Sequence, residues 1–347
     1  MSGRSWLAAA VAVVGLMGGR AEAASASFKD WTVVCDNVRH CTAFGFASYE
    51  DETLGYLRLE RDGVAGAPVR LTVAVADEEM RGKAWTLALD GQAIPGLAGL
   101  KAKDPEEGTY PQVSLDPAQA ALLAGKLVSG QSLKVTGAEG RAGRISLAGS
   151  SAALRWMDVQ QKRAGTVTAL VAKGDRPASE VPAPPAPPLV TPGVIPSQEG
   201  LSDVLPRSVR AKFPPECERN LTKDMTDPIV ARLSPGVVLW GDVCSVAAYQ
   251  STYVMFLADE KGRNPRPLVL TDAEGRSLGF PDIGFAFDPE RLTLSNFYKG
   301  RGLADCGGAS SWVWDGKAFR LVEGTFMDLC RGLAPDDWPV SYVSRSQ

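Results

Sequence analysis

Trp31-Thr32-Val33-Val34-Cys35, followed after five intervening residues by Cys41-Thr42-Ala43, decides how this chain is read. Side chains of an extended strand alternate between two faces, so Trp31, Val33 and Cys35 share one of them. Asn37 stands in the turn before Cys41, and a bridge between Cys35 and Cys41 would pin two adjoining strands at their turn end. The same alternation recurs in Tyr56-Leu57-Arg58-Leu59-Glu60, Val69-Arg70-Leu71-Thr72-Val73 and Trp85-Thr86-Leu87-Ala88-Leu89. Alternating runs with turn residues between them predict half-buried strands.

Two helices interrupt this pattern. Asp116-Pro117 reads as an N-cap followed by proline at the first helical position, leading into Ala118, Ala121 and Leu122. A second helix starts near Ser150 or Ser151, puts Ala153, Trp156 and Met157 on one stripe, and ends at Gly165. Asp158 and Lys162, four apart, are expected to pair on its outer face. Residues 166–171 read as a closing strand.

Eight prolines between 174 and 199 separate this region from the rest. In polyproline form, at about 3.1 Å per residue, such a linker reaches about 80 Å. Further strands are predicted at 237–243, 252–257, 267–271, 292–297, 311–314 and 318–322. Asp315-Gly316 is a two-residue hairpin signal that would pair Trp314 with Lys317 and Trp312 with Phe319. The expected fold is mostly β, a β-rich α+β arrangement. It has a β-sandwich-like domain with one or two helices at 24–173, a proline-rich linker at 174–199, and a second antiparallel β domain at 200–347.

The first residues form a separate unit. Arg4, a charge-free run at 7–17 and Ala21-Glu22-Ala23 make the basic, apolar and small-residue order of a secretory leader, with cleavage expected after Ala23. The apolar run is too short to span a bilayer, which takes roughly 20 residues. The mature chain is therefore expected to be periplasmic or secreted, without a transmembrane anchor. Removing Arg4, Arg20 and Glu22 takes the formal charge from −3 to −4 with no basic block, which argues against nucleic acid as a partner.

Behind such a leader, six cysteines without a C-x-x-C pair read as disulfides. Six permit 15 pairings. Neighbour pairing, Cys35 with Cys41, Cys217 with Cys244 and Cys306 with Cys330, is the expected arrangement. By loop-closure entropy the three bridges would contribute about 2.4, 3.6 and 3.5 kcal/mol.

The string from Phe28-Lys29-Asp30-Trp31 to Cys35-Asp36-Asn37 and Cys41-Thr42-Ala43 resembles the start of a bacterial exported family known as domain of unknown function 1176. Asp158-Val159-Gln160-Gln161-Lys162-Arg163-Ala164-Gly165-Thr166, Cys244-Ser245-Val246-Ala247-Ala248-Tyr249 and Lys299-Gly300-Arg301-Gly302-Leu303-Ala304-Asp305-Cys306-Gly307 extend the likeness. So do Trp312-Val313-Trp314-Asp315-Gly316 and Cys330-Arg331-Gly332. The resemblance implies no established activity. The N-terminal half is also similar in character to the invasion-associated locus B family, exported proteins linked to host-cell entry, through a tryptophan shortly before a cysteine pair. That likeness implies an interaction protein.

The chain has one histidine, His40, so any Ser-His-Asp or Cys-His system would have to use it. It reads as a solvated turn residue. No nucleophile elbow, P-loop or dinucleotide fingerprint is present. Asp272-Ala273-Glu274-Gly275 reads as a β-turn, since it lacks the alternating ligands of a calcium loop. Neither a catalytic set, nor a metal, nor a cofactor is expected. A carboxylate pair such as Asp305 and Asp328 is the one hydrolytic alternative.

Lys299-Gly300-Arg301-Gly302 is the better candidate, because two cations suit a carboxylate or phosphate and glycines let a backbone approach it. Lys299, Arg301 and Asp305, with Trp312 and Trp314 as an aromatic surface, form the candidate ligand site. The expected function is a non-enzymatic binding module for an envelope or host protein or polymer. A structural or stress-protective envelope component and a carboxylate hydrolase are the alternatives.

Overall fold

The structure, a computed structural model, describes residues 23–51, 53–103, 110–217, 221–222, 225–226, 228–278 and 282–346. Residues 1–22, which hold all but the last residue of the expected leader at 1–23, lie outside the described residues.

The fold is mostly β. Strands β1 (Ala24–Phe28), β2 (Trp31–Cys35), β3 (Cys41–Phe46), β4 (Gly55–Arg61) and β5 (Arg70–Val75) run as an antiparallel meander. A second sheet comes from β6 (Ala84–Leu89), β7 (Gln92–Ala93) and β8 (Leu100–Lys101), while β9 (Gln112–Ser114) returns to the edge of the first beside β5. Helix α1 (Pro117–Leu127) follows, then β10 (Ser132–Thr136) and β11 (Ala142–Ser146), which complete the second sheet, and helix α2 (Ser150–Gln160). The Asp116 side chain caps α1 in a reciprocal box with Gln119.

Trp31, Val33, Leu57, Leu59, Val73, Trp85, Leu87, Leu133, Val135 and Ile145, with apolar residues of both helices, form one core. Each large apolar side chain so buried contributes about 1.5–3 kcal/mol. Trp31 lies opposite Gly45, where a Cβ would come within 2.4 Å of the indole, so only glycine fits there.

Helix α2 ends earlier than predicted, and Asp158 does not face solvent. The residue is fully buried, and its carboxylate accepts Arg61 Nη2 at 3.0 Å and the backbone N–H groups of Leu170, Val171 and Ala172 at 2.8, 2.8 and 3.1 Å. Residues 166–171 therefore form a loop wrapped around a carboxylate instead of a closing strand. Arg61 Nε also donates to Gln161 Oε1 at 2.7 Å. Burial first, and the charge of Arg163 second, bring the Arg61 guanidinium down to about 10, while Asp158 pushes it back up. Arg163 is itself buried, donating to the carbonyls of Asp62, Val64 and Ala65.

The stretch at 174–199 is not a free spacer. Val181 and Val190 are buried, Arg39 Nη1 donates to Pro182 O at 3.2 Å, and Gly193 N donates to Trp314 O at 2.8 Å. Its β12 (Leu189–Val190) runs parallel to β23 (Arg345–Ser346) near the end of the chain. A proline-rich segment keeps its carbonyls as acceptors, so other parts of the chain can hold it as a strap.

Beyond the strap, α3 (Arg207–Arg210) precedes a sheet of β13 (Ile229–Ser234), β14 (Val237–Val246), β15 (Ser251–Ala258), β16 (Arg266–Pro267) and β17 (Asp282–Ile283). A further antiparallel sheet orders β18 (Phe285–Asp288), β19 (Thr293–Lys299), β20 (Gly307–Trp314), β21 (Phe319–Met327) and β22 (Val340–Val343). Leu239, Phe285, Leu294, Trp312 and Trp314 pack between these sheets, and a smaller cluster of Trp240, Phe256 and Val209 covers the other face of β14.

The β20–β21 hairpin has a different register from the one predicted. Trp314 pairs with Phe319 and Trp312 with Leu321, because the Asp315 carboxylate accepts from Lys317 N and Ala318 N and widens the turn. All three disulfides join neighbours, Cys35 to Cys41, Cys217 to Cys244 and Cys306 to Cys330.

The two halves dock directly. Phe44, Phe46, Tyr56 and Ala74, on the outer face of the first sheet, pack against Cys306, Met327, Leu333 and Trp338. Asn37 pairs its amide with the backbone of Val343, giving Nδ2 to O at 3.0 Å and receiving N at 2.9 Å. Arg331 reaches back to Ala47 O and Asp30 Oδ1, each at 2.9 Å, and Thr32 Oγ1 donates to Asp328 at 2.8 Å.

Asp158→Ala is expected to lower stability by about 3–5 kcal/mol, since it leaves a buried guanidinium unpaired. Lys162→Ala should stay within about 0.5 kcal/mol, as for an ordinary surface change. Equilibrium urea unfolding of the two variants reads the contrast.

Candidate functional site

Residues 299–306 connect β19 to β20 and carry most of the candidate site. Gly300 N donates to Cys306 O at 2.8 Å and Ala304 N to Arg301 O at 3.0 Å, so the backbone folds into a compact knob. The Cys306–Cys330 bridge fixes its base, and a Cβ at Gly300 would stand 2.6 Å from the Cys306 sulfur. This glycine makes room for the bridge, not for a ligand.

Arg301 and Asp305 face each other within the knob. Arg301 Nε donates to Asp305 Oδ1 at 2.7 Å, and Gly332 N donates to Asp305 Oδ2 at 2.7 Å. The Arg301 guanidinium holds the Asp305 carboxyl below the usual carboxylate range, against its burial and with help from the Gly332 N–H. Both charges are thus committed to shaping the loop. Lys299 is half-buried at the end of β19, and its backbone N–H donates to the Gln250 side-chain oxygen at 3.1 Å.

The tryptophans take another place than expected. Trp312 and Trp314 are buried in the core of the second half, where their indole N–H groups donate to Thr271 O at 2.8 Å and Ser234 Oγ at 2.9 Å. A tryptophan on the strand face opposite solvent presents no aromatic surface. Tyrosines occupy that role instead: Tyr49 lies under the Arg331 guanidinium and near Arg301, and Tyr249 flanks Gly302. Leu303, the residue after Gly302, is 76% exposed, with Tyr49 at 76% and Tyr249 at 45%. Tyr49 comes from the loop after β3 and Tyr249 from the turn after β14, so distant segments reach Arg301 and Gly302 of the knob. Isolated tyrosines in loops carry no periodic signal, which is why sequence reading passed over them.

Asp305 and Asp328 do not form a free carboxylate pair. The first is held by Arg301 and Gly332, and the second accepts from Thr32 and from Ser27 in the other half. The Asp305, Cys306 and Cys330 side chains lie close together, but both sulfurs are in the disulfide and have no thiolate to offer a metal.

His40 is half-buried rather than solvated. Its Nδ1 lies 2.7 Å from Asp62 Oδ1 and its Nε2 3.4 Å from Thr42 Oγ1. That order mimics a nucleophile, base and acid, yet Thr42 is buried in β3 with no open face for a substrate. At 271–277 the Asp272 carboxylate accepts from Glu274 N and Arg276 N, the turn that its sequence predicts.

The family described as a protein of unknown function, DUF1176, matches residues 25–345. An uncharacterized protein of Escherichia coli (strain K12), YpfG, is 29% identical over 352 residues, covering 93% of each chain. No solved structure matches significantly.

Because Asp305 has a depressed carboxyl pKa in the folded state, its contribution to stability is complete above the ordinary value of about 3.9. It is lost as pH falls through the folded value. Arg301→Gln should therefore move the acid unfolding transition to higher pH, followed by near-ultraviolet circular dichroism. Arg291→Gln, on an exposed arginine, should leave the transition in place.

Proposed function

This chain belongs to the DUF1176 family of proteins of unknown function, and from that premise we propose that it is an exported, non-enzymatic binding protein of the cell envelope. Three disulfides, with no free cysteine among the described residues, support an oxidising compartment. No helix among the described residues is long and apolar enough to cross a membrane. The leader with cleavage after Ala23 supplies the route, and β1 begins at Ala24, directly after that point.

The observation that carries the binding role is the exposure of Leu303 at the tip of a loop whose other parts are tied down. A rigid loop loses little entropy on association, so an apolar tip on one is well suited to bind. Tyr49 near Arg301 and Tyr249 near Gly302 bring to the same loop the kind of aromatic residue that dominates interface energetics. The partner surface that fits is a concave apolar cleft on an envelope or host protein or polymer, into which the knob inserts.

The test is capture from envelope extract by the mature protein, with quantification of the bound partner. Leu303→Asp is expected to weaken capture by about 2 kcal/mol or more, as for a hot spot. Val194→Asp, at an exposed site elsewhere, should not. Equal capture by the Leu303→Asp variant removes the knob from the proposal, and repeated empty captures favour a structural role.

A further inference from the structure

The outer face of the sheet containing β10 and β11 carries two like charges in direct register, with no ion pair to either among the described residues. Lys134 of β10 stands directly opposite Arg144 of β11, and both side chains are exposed. Directly opposed like charges destabilise a strand pair. Neighbouring positions on that face supply no acid: Ala88 lies across from Lys134 on β6, and Thr136 pairs with Ala142 in the next row. Asp90, at the end of β6, gives its carboxylate to the backbone N–H groups of Gln131 and Ser132. Lys134 and Arg144 have no ion pair among the described residues.

These two cations line a groove of about 560 Å³, walled on its other side by the loop after β3. Glu50 and Asp51 of that loop line the same groove. Asp51 takes the Ser48 N–H on one oxygen at 2.9 Å, and Glu50 is exposed with no side-chain partner among the described residues. Ser132 and Gly143 belong to the same lining. The groove thus has a cationic floor and an acidic wall held apart from each other. Its size falls within the few hundred to about 1,000 Å³ of small-ligand sites.

We infer that this groove binds a small zwitterion of amino-acid or short-peptide type. The ligand carboxylate lies between Lys134 and Arg144, and its ammonium group faces Glu50 and Asp51. A guanidinium beside an ammonium suits a carboxylate, and the acidic wall disfavours a purely anionic ligand of high charge. The binding neutralises the opposed cations, which gives their placement on one strand pair a physical reason. The groove and the tyrosine patch both draw on the loop after β3, where Glu50 follows Tyr49, but no residue of the 300–306 knob lines the groove.

Isothermal titration of the disulfide-intact mature protein with the dipeptide alanyl-alanine tests the inference. The free dipeptide should bind, and its N-acetylated and C-amidated forms should each bind at least about tenfold more weakly. The double variant Lys134→Ser with Arg144→Thr should abolish binding, whereas Leu303→Asp should leave it unchanged. In the ligand-free protein, Arg144→Thr should raise the melting temperature, because it removes the opposed charge. No binding up to about 10 mM dipeptide, which corresponds to less than about 3 kcal/mol, overturns the proposal. Equal binding of the N-acetylated form, full binding by the double variant, or a lower melting temperature for Arg144→Thr overturns it as well.

Discussion

The buried Asp158 carboxylate is the constraint on which the N-terminal half and the path of the strap depend. A charge taken out of water costs several kcal/mol unless its lone pairs are filled. Here they are filled by Arg61 from β4 and by three consecutive backbone N–H groups at 170–172. One side chain therefore fixes helix α2, the end of a core strand and the loop that leads into residues 174–199. Gln161 extends the network by donating to the carbonyls of Arg39 and Arg61, which brings in the turn closed by Cys35 and Cys41. The string Asp158-Val159-Gln160-Gln161-Lys162-Arg163 is thus an internal polar frame.

From that frame the rest of the molecule follows in order. The strap leaves the frame, passes the Cys35–Cys41 turn and pairs at Leu189–Val190 with the last strand. Phe44 and Phe46, which alternate outward from β3, are covered by Trp338, Leu333 and the Cys306–Cys330 region. Arg331 anchors that contact, and the same guanidinium carries the Tyr49 ring that flanks the knob. The docking of the halves and the assembly of the exposed tyrosine patch are consequently one packing event, because the patch draws residues from both sides of the interface.

Local chemistry explains what sequence reading reached. The alternation of Trp31, Val33 and Cys35 is a strand pattern whatever surrounds it, and Asp116 with Gln119 caps a helix by contacts within four residues. Neighbour pairing of six cysteines was likewise accessible, since short loops close at low entropic cost. The errors have a common origin as well. Asp158 with Lys162 obeys helical spacing, yet a carboxylate with four donors waiting in the interior gains more there than from one solvated lysine. Asp315-Gly316 signals a tight turn, but the Asp315 side chain bonds two N–H groups and moves the register outward.

By itself, the sequence determined the β-rich class and the position of the loop at 299–306 and made neighbour pairing the expected arrangement of the bridges, because each rests on interactions between residues close along the chain. Tertiary structure alone decided that the proline-rich stretch is a bound strap, that Trp312 and Trp314 face inward, and that Tyr49 and Tyr249 come near Arg301 and Gly302 of the knob. It also decided that Lys134 and Arg144 oppose Glu50 and Asp51 across a groove. Those outcomes depend on which faces meet across the molecule, and that is set by burying the most apolar area while every desolvated charge finds a partner.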